Sequence, residues 1–128
     1  MFTKLSENEL IALGSVMETR LVKKGGHYLH QGQICHHLGF LNKGIMRVYH
    51  LANDKEYTSY FNFGDRNPFV SSFSSFITRK PSHESIHALE DCEICQISYN
   101  DLQKLYDESF AFQKLGRLVA EFSYRLAL

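Results

Sequence analysis

The stretch IMRVYHLANDKEYTSYF, residues 45–61, decides the fold class of this chain. Its two halves are rich in β-branched and aromatic residues and flank Asn53-Asp54, a pair typical of a tight hairpin turn. Similar apolar runs of strand length extend over residues 20–98 and are separated by turn signals rich in Gly, Asn and Asp. The sequence therefore predicts many short antiparallel strands that close into a β-barrel or jelly roll.

Helices are predicted on both sides of this roll. A capping-box pattern that begins at Ser6 predicts a helix over about 7–17, and a second pattern at Ser98 predicts one over about 100–107. A third helix, over about 110–128, is predicted from apolar residues at three- and four-residue spacing. The residues of this apolar seam are Phe112, Leu115, Val119, Phe122 and Leu126.

The seam predicts a dimer contact, because such spacing is typical of two paired helices. Packing of the same face on the chain's own roll is the alternative. The pattern is unbroken at Leu128, with no Gly or Pro stop signal, so we expect the natural helix and protein to continue beyond it.

Composition excludes several classes of protein. The 128 residues suit one domain, 1–128, and 44 % apolar content suits a packed core. Basic and acidic residues number 14 each, which argues against a free-standing nucleic-acid binder and against disorder. No apolar run approaches the roughly 20 residues that span a bilayer, and no signal-peptide region is present. Three cysteines form no disulfide framework, so we expect a cytoplasmic protein with no membrane partner.

Neither catalysis nor metal binding is predicted. The sequence contains no nucleophile elbow, Walker loop or HExxH motif, and its carboxylates are scattered, so no catalytic residue is assigned. Histidines and a cysteine cluster at His27, His30, Cys35, His36 and His37. On strands we expect the members of each pair, 27 with 30 and 36 with 37, to point to opposite faces, which does not suit a metal site.

Cys92-Glu93-Ile94-Cys95 has the spacing of a CxxC motif. A redox CxxC lies at the start of a helix, whereas this one falls on a predicted strand after a tight turn at Glu90-Asp91-Cys92. The two sulfurs are therefore expected to face apart, as structural cysteines.

Four segments in order resemble the sequence pattern of cyclic-nucleotide-binding domains. They are KKGGHYLHQGQ at 23–33, LGFLNKGIMRVY at 38–49, FGD at 63–65 and ALEDCE at 88–93. With the seam helix after them, the chain resembles the sensor half of a Crp/Fnr-type bacterial transcription regulator.

The resemblance implies a double-stranded β-helix, or jelly roll, with a ligand pocket inside it. It also implies a C-terminal helix that pairs two subunits into a homodimer. DNA would be read through a winged helix-turn-helix domain that this chain lacks. The implied effector is a small molecule, a cyclic nucleotide or another compound, and no other cofactor is implied.

The segment that should bind the nucleotide, 69–85, departs from the family pattern. The family supplies a Glu for the ribose in a Gly-Glu turn, where this chain has Ser71-Ser72, and an Arg for the phosphate in a Pro-Arg-Ser run, where it has Pro81-Ser82-His83. Losing one partner of a buried charge pair costs about 2–5 kcal/mol. Cyclic AMP and cyclic GMP are therefore predicted to bind weakly or not at all.

Candidate pocket residues follow from the same resemblance: Phe61, Phe69, Val70, Ser71, Ser72, Phe73, Ser82, His83 and Arg125. The neighbouring cations Arg79 and Lys80 are expected to form a solvated loop. The serine-rich segment either lines a pocket for a different small ligand or is a collapsed vestige. Two further alternatives are a cupin-like metal-dependent enzyme on a similar roll and a ligand-free dimerisation module.

Overall fold

The computed structural model of the chain describes residues 6–114 and 117. Two four-stranded antiparallel sheets, in the orders β1-β8-β3-β6 and β2-β7-β4-β5, pack face to face with helices beside them. The predicted jelly roll is thus confirmed. The strands are β1 Glu18–Val22, β2 His27–Leu29, β3 His37–Lys43, β4 Ile45–Ala52, β5 Lys55–Phe63, β6 Phe69–Val70, β7 Ser85–Ala88 and β8 Cys92–Ser98; the helices are α1 Glu7–Val16, α2 Phe73–Thr78 and α3 Tyr99–Glu108.

The predicted hairpin is β4 and β5, which pair along their whole length to Ala52 and Lys55 at the turn. Asn53 and Asp54 occupy the turn with φ of 53° and 63°. Positive φ at both central residues gives a turn whose twist matches that of the strands, and Asn and Asp tolerate this conformation. The hairpin prediction is confirmed.

The turn before β8 carries the chain from one sheet to the other. β7 pairs with β2 and β4, whereas β8 pairs with β1 and β3. The two strands that flank residues 89–91 are therefore not paired with each other. Alternation along β8 points Cys92 and Ile94 into the core and Cys95 away from it. The sulfurs of the CxxC motif therefore face apart as predicted, and all three cysteines are free.

The core lies between the sheets and is formed by aliphatic side chains from both. Its fully buried members are Leu41, Met46, Val48, Val70, Ile86 and Ile94. Successive strand residues face opposite sides of a sheet, so this set selects one face of each strand.

The two predicted capped helices are confirmed. Ser6 and Glu9 exchange both bonds of the capping box at the start of α1, and the Ser98 hydroxyl accepts a hydrogen bond from the Asp101 amide at the start of α3. Residues 110–114 are helical again. No helix in the described part of the chain is long and apolar enough to cross a membrane.

The first residue of the predicted dimer seam needs a correction. Phe112 is 3 % exposed and packs in the core of its own chain, which leaves almost none of its side chain for a partner. A helix end that lies on the roll must cover apolar surface, and Phe112 does so here. Leu115, Val119, Phe122 and Leu126 lie outside the described residues.

Candidate functional site

We call the segment 69–85, made of β6, α2 and the loop that leads into β7, the cassette. Its distinguishing feature is a set of buried serines: Ser71, Ser72, Ser75, Ser82 and Ser85, all 7 % exposed or less. A buried hydroxyl requires a hydrogen-bond partner. Ser72 and Ser82 are bonded to each other, whereas the other three serines bond mainly to backbone groups.

The two family signature positions contact each other. The hydroxyl oxygens of Ser72 and Ser82 are 2.7 Å apart, and Ser82 Oγ also lies 2.7 Å from the carbonyl oxygen of Glu84 and accepts from the Glu84 amide. The hydroxyls thus fill the place that the resemblance assigns to an arginine and a glutamate. Their hydrogen-bonding capacity is used within the chain.

The remaining cassette serines tie it to the loop before β3. Ser75 Oγ accepts from the Cys35 amide at 2.9 Å and donates to the Lys80 carbonyl. Ser71 Oγ donates to the His37 carbonyl at 3.2 Å. The cassette is therefore a compact, internally bonded unit.

The cassette contains one acidic residue, Glu84, two positions after Ser82. Glu84 is partly buried, and burial raises the pKa of its carboxyl group. Across the sheet, burial and the charge of Glu84 together raise the pKa of Tyr60.

Two of the predicted pocket residues, Phe61 and Phe69, lie on the outer faces of their strands, which corrects their assignment to the pocket. Phe61 is 41 % exposed and lies on the outer face of β5, because its neighbours Tyr60 and Asn62 occupy the inner face. Phe69 packs edge-on against exposed Phe40 of the paired strand, with ring centroids 5.6 Å apart, so it too faces outward.

Other predicted pocket residues divide between the interior and the surface. Val70 is fully buried in the roll. Phe73 lies on α2 and lines an apolar cavity of about 210 Å³ between α2 and α3. His83 is exposed, because Ser82 before it turns inward, so His83 is corrected to a surface residue. Arg125 lies outside the described residues.

The predicted pocket residues did not include Tyr60 and Asn62, which lie on the inner face of β5. Asn62 is 1 % exposed; its amide nitrogen donates to the carbonyls of Asn67 and Phe69, while its Oδ1 has no partner among the described residues. Strand alternation places both residues on one face of β5, but no signal in the sequence shows that this is the buried face.

Arg79 contradicts the expectation of a solvated loop. It ends α2 with φ of 62°, and its guanidinium donates to the Cys35 carbonyl at 3.1 Å. The same group lies 3.0 Å from His36 Nδ1 and 4.1 Å from the centre of the Tyr99 ring. The left-handed end of the helix turns this side chain back over the fold, whereas Lys80 is exposed as expected.

The histidine prediction is also wrong in one respect. The rings of His27 and His30 stack with centroids 4.2 Å apart, because β2 ends at Leu29 and strand alternation no longer applies. His87 stacks on His27 at 4.7 Å, and Tyr49 Oη lies 2.7 Å from His27 Nε2. Burial, followed by the charges of His30 and His87, lowers the pKa of His27.

Stacked rings direct their nitrogens sideways rather than toward a common point. Over residues 6–114 and 117, no three His, Cys, Asp or Glu side chains form a group that could hold a metal ion.

Comparison with known proteins agrees with this architecture. The family model described as "Cyclic nucleotide-binding domain" matches residues 19–109. No curated protein matches the chain.

Several solved structures share the fold. A cyclic nucleotide-binding domain from Methylobacillus flagellatus superposes with a TM-score of 0.82 at 20 % identity, over 98 % of this chain and 70 % of that one. The catabolite activator protein of Thermus thermophilus gives 0.72 at 22 % identity, over 95 % of this chain and 55 % of that one. The sensor domain of the transcriptional regulator DNR from Pseudomonas aeruginosa gives 0.73 at 18 % identity, over 95 % and 83 %. This chain thus spans about half the length of the catabolite activator.

Proposed function

The chain belongs to the cyclic nucleotide-binding domain family, and we propose that it is the effector-sensing and dimerisation domain of a cytoplasmic Crp/Fnr-type transcription regulator. We further propose that it does not bind cyclic AMP in the usual way. It would be a binding domain rather than an enzyme, and DNA would be contacted by a different domain.

The contact between Ser72 and Ser82 carries the proposal on cyclic nucleotides. A buried phosphate anion needs a cationic fork or a nest of amide donors to offset the loss of its hydration. Here the two signature positions are neutral hydroxyls 2.7 Å apart, each 3 % exposed. The cassette therefore favours a neutral effector over a cyclic nucleotide.

A route from the cassette to the helices runs through Arg79. This residue ends α2 and covers the ring of Tyr99, the first residue of α3. A change in the position of α2 would therefore alter the contact with α3 and, beyond it, the helix that begins at 110. Effector binding would act as a population shift between two arrangements of the roll and its helices.

Isothermal titration of the chain with cyclic AMP and cyclic GMP tests the proposal. We expect no saturable heat from either nucleotide, and micromolar affinity for one of them would overturn it. Native mass spectrometry of the purified protein then separates a sensor from a ligand-free module. A mass increment that disappears on denaturation supports the sensor.

A further inference from the structure

We propose that the open edge of the roll between β1 and β2 binds a small organic carboxylate, at a site separate from the cassette. These two strands are edge strands, one from each sheet, so the interior of the sandwich is accessible between them. A cavity of about 630 Å³ lies here, closed on its far side by the loop of residues 30–36. Its lining includes Arg20, Tyr28, Leu29, Gln33, Ile34 and His37.

The floor of this edge cavity is the ring of Tyr28, which ends a chain of hydrogen-bonded polar groups that is buried at Tyr28 and Gln96 and exposed at Glu18. Tyr28, 6 % exposed, donates from Oη to Gln96 Oε1 at 2.7 Å, and Gln96, 4 % exposed, donates from Nε2 to Glu18 Oε1 at 2.7 Å. The same Glu18 oxygen lies 3.5 Å from His37 Nε2. Each of these groups is held by its neighbour, so the floor is formed before any ligand arrives.

Arg20 is the cation of the edge cavity, and its donors are unused. Its guanidinium carbon lies 4.8 Å above the centre of the Tyr28 ring, which holds it over the floor. Arg20 is exposed, and throughout residues 6–114 and 117 it forms no hydrogen bond and no ion pair. A guanidinium offers a planar fork of donors that matches a carboxylate with two parallel bonds.

The rest of the lining selects among anions. Leu29 and Ile34 and the Tyr28 ring provide apolar surface for the body of a ligand. The Glu18 carboxylate lies outside the lining but 3.5 Å from His37 of the lining, and it limits the negative charge that the cavity accepts. Both features favour a singly charged carboxylate with an apolar body over a phosphate.

Arg20 is also the position at which the site can be changed without disturbing the cassette. The loop wall is bonded to the cassette, with the Ser82 amide donating to the Gln33 carbonyl at 2.7 Å and the Gly32 amide donating to the Ser82 carbonyl at 2.9 Å. Arg20 makes none of these bonds. Arg66 is a matched control, because its guanidinium carbon also lies 4.8 Å from a ring centre, that of Phe63, outside the cavity.

The test is an NMR titration of the ¹⁵N-labelled chain with sodium benzoate, using wild type, R20Q and R66Q. We expect saturable shifts in the amides of residues 20 and 28–37, affinity weakened about tenfold or more in R20Q, and affinity within about twofold of wild type in R66Q. R20K keeps the charge but loses the fork, so it should also weaken binding; it replaces R20Q if that variant loses spectral dispersion.

The proposal would be overturned by an absence of saturable shifts, by shifts that map elsewhere, or by unchanged affinity in R20Q. A parallel titration with sodium phosphate is expected to give weaker binding than benzoate. Equal or tighter phosphate binding would replace the carboxylate site with a general anion site and contradict the proposal. None of these outcomes depends on whether the cassette binds a cyclic nucleotide.

Discussion

The hydroxyl oxygens of Ser72 and Ser82 lie 2.7 Å apart, and each residue is 3 % exposed. Ser72 directly precedes α2 in the cassette, and Ser82 lies in the loop after it. The contact joins the two ends of the segment that, in the family pattern, supplies the ligand's charged partners. It closes the cassette on itself with neutral groups, so the segment is held by bonds within the chain.

A double-mutant cycle measures this contact. We expect Ser72→Ala and Ser82→Ala each to lower the free energy of unfolding by about 1 kcal/mol, because each removes the hydrogen bond between the two buried hydroxyls. The double variant should lose less than the sum, because this shared bond can be lost only once. Urea unfolding provides the values, with exposed Ser74→Ala as the control. Strictly additive losses would show that the two hydroxyls are not coupled.

Acid should destabilise the fold through His27. Its folded pKa is lowered, by burial first and then by His30 and His87, so the unfolded chain binds the proton more readily. The stability from a neutral His27 is complete above about pH 6.5 and is lost as the pH falls below that value. Arg47 and Glu56 act on His27 with opposite signs, lowering and raising its pKa.

Urea midpoints between pH 8 and pH 5 test this expectation in wild type and His27→Gln. The variant loses the contact with Tyr49, so its stability is lower at every pH, but its dependence on pH should be shallower. His50→Gln, at an exposed position, should keep the wild-type dependence. Identical slopes in His27→Gln and wild type would show that His27 is not the group responsible.

Replacing each of two glycines with alanine should change the stability of the fold in opposite directions. Gly44 has φ of 106°, and an added Cβ would lie 2.5 Å from Cys92 Sγ and 2.7 Å from the Asp91 carbonyl oxygen. Gly44→Ala should therefore destabilise by about 2 kcal/mol or more. Gly14, inside α1, has nothing within 4 Å of the added Cβ, so Gly14→Ala should stabilise by about 0.5–1 kcal/mol. Thermal unfolding checks both, and a neutral Gly44→Ala would contradict the close approach.

Replacing both Val119 and Phe122 with glutamate tests the predicted dimer seam. If the seam pairs two subunits, the double variant V119E/F122E brings like charges together across the two-fold axis and should sediment as a monomer. Lys114→Glu, at an exposed position of the preceding turn, should remain dimeric like the wild type. A double variant that sediments like the wild type, or a wild type that is itself monomeric, would contradict the assignment.

Predictions of turns and helix starts were correct where a few residues close in sequence decide the local structure. Asn53-Asp54 specifies its own turn, and Ser6 and Ser98 each cap a helix with a group three residues away. These bonds form within one turn of chain, so their sequence pattern is sufficient.

Predictions failed where a side chain's partner is distant in sequence. Arg79 was expected in solvent, yet its guanidinium bonds to Cys35, 44 positions earlier. Phe61 was expected in the pocket, but its face depends on the pairing of β5 with β4, whose register shifts between Val48 and Tyr49. A shift of one residue exchanges the two faces of a strand, and no local pattern reports it.

By itself the sequence determined the jelly roll, its main hairpin and the capped helices, because periodicity and turn chemistry are local properties. Only the tertiary structure decided that Ser72 and Ser82 contact each other within the cassette and that Arg20 lies over the ring of Tyr28. Both relationships join residues from different elements, and which side chains meet there depends on strand register and sheet packing rather than on any single segment.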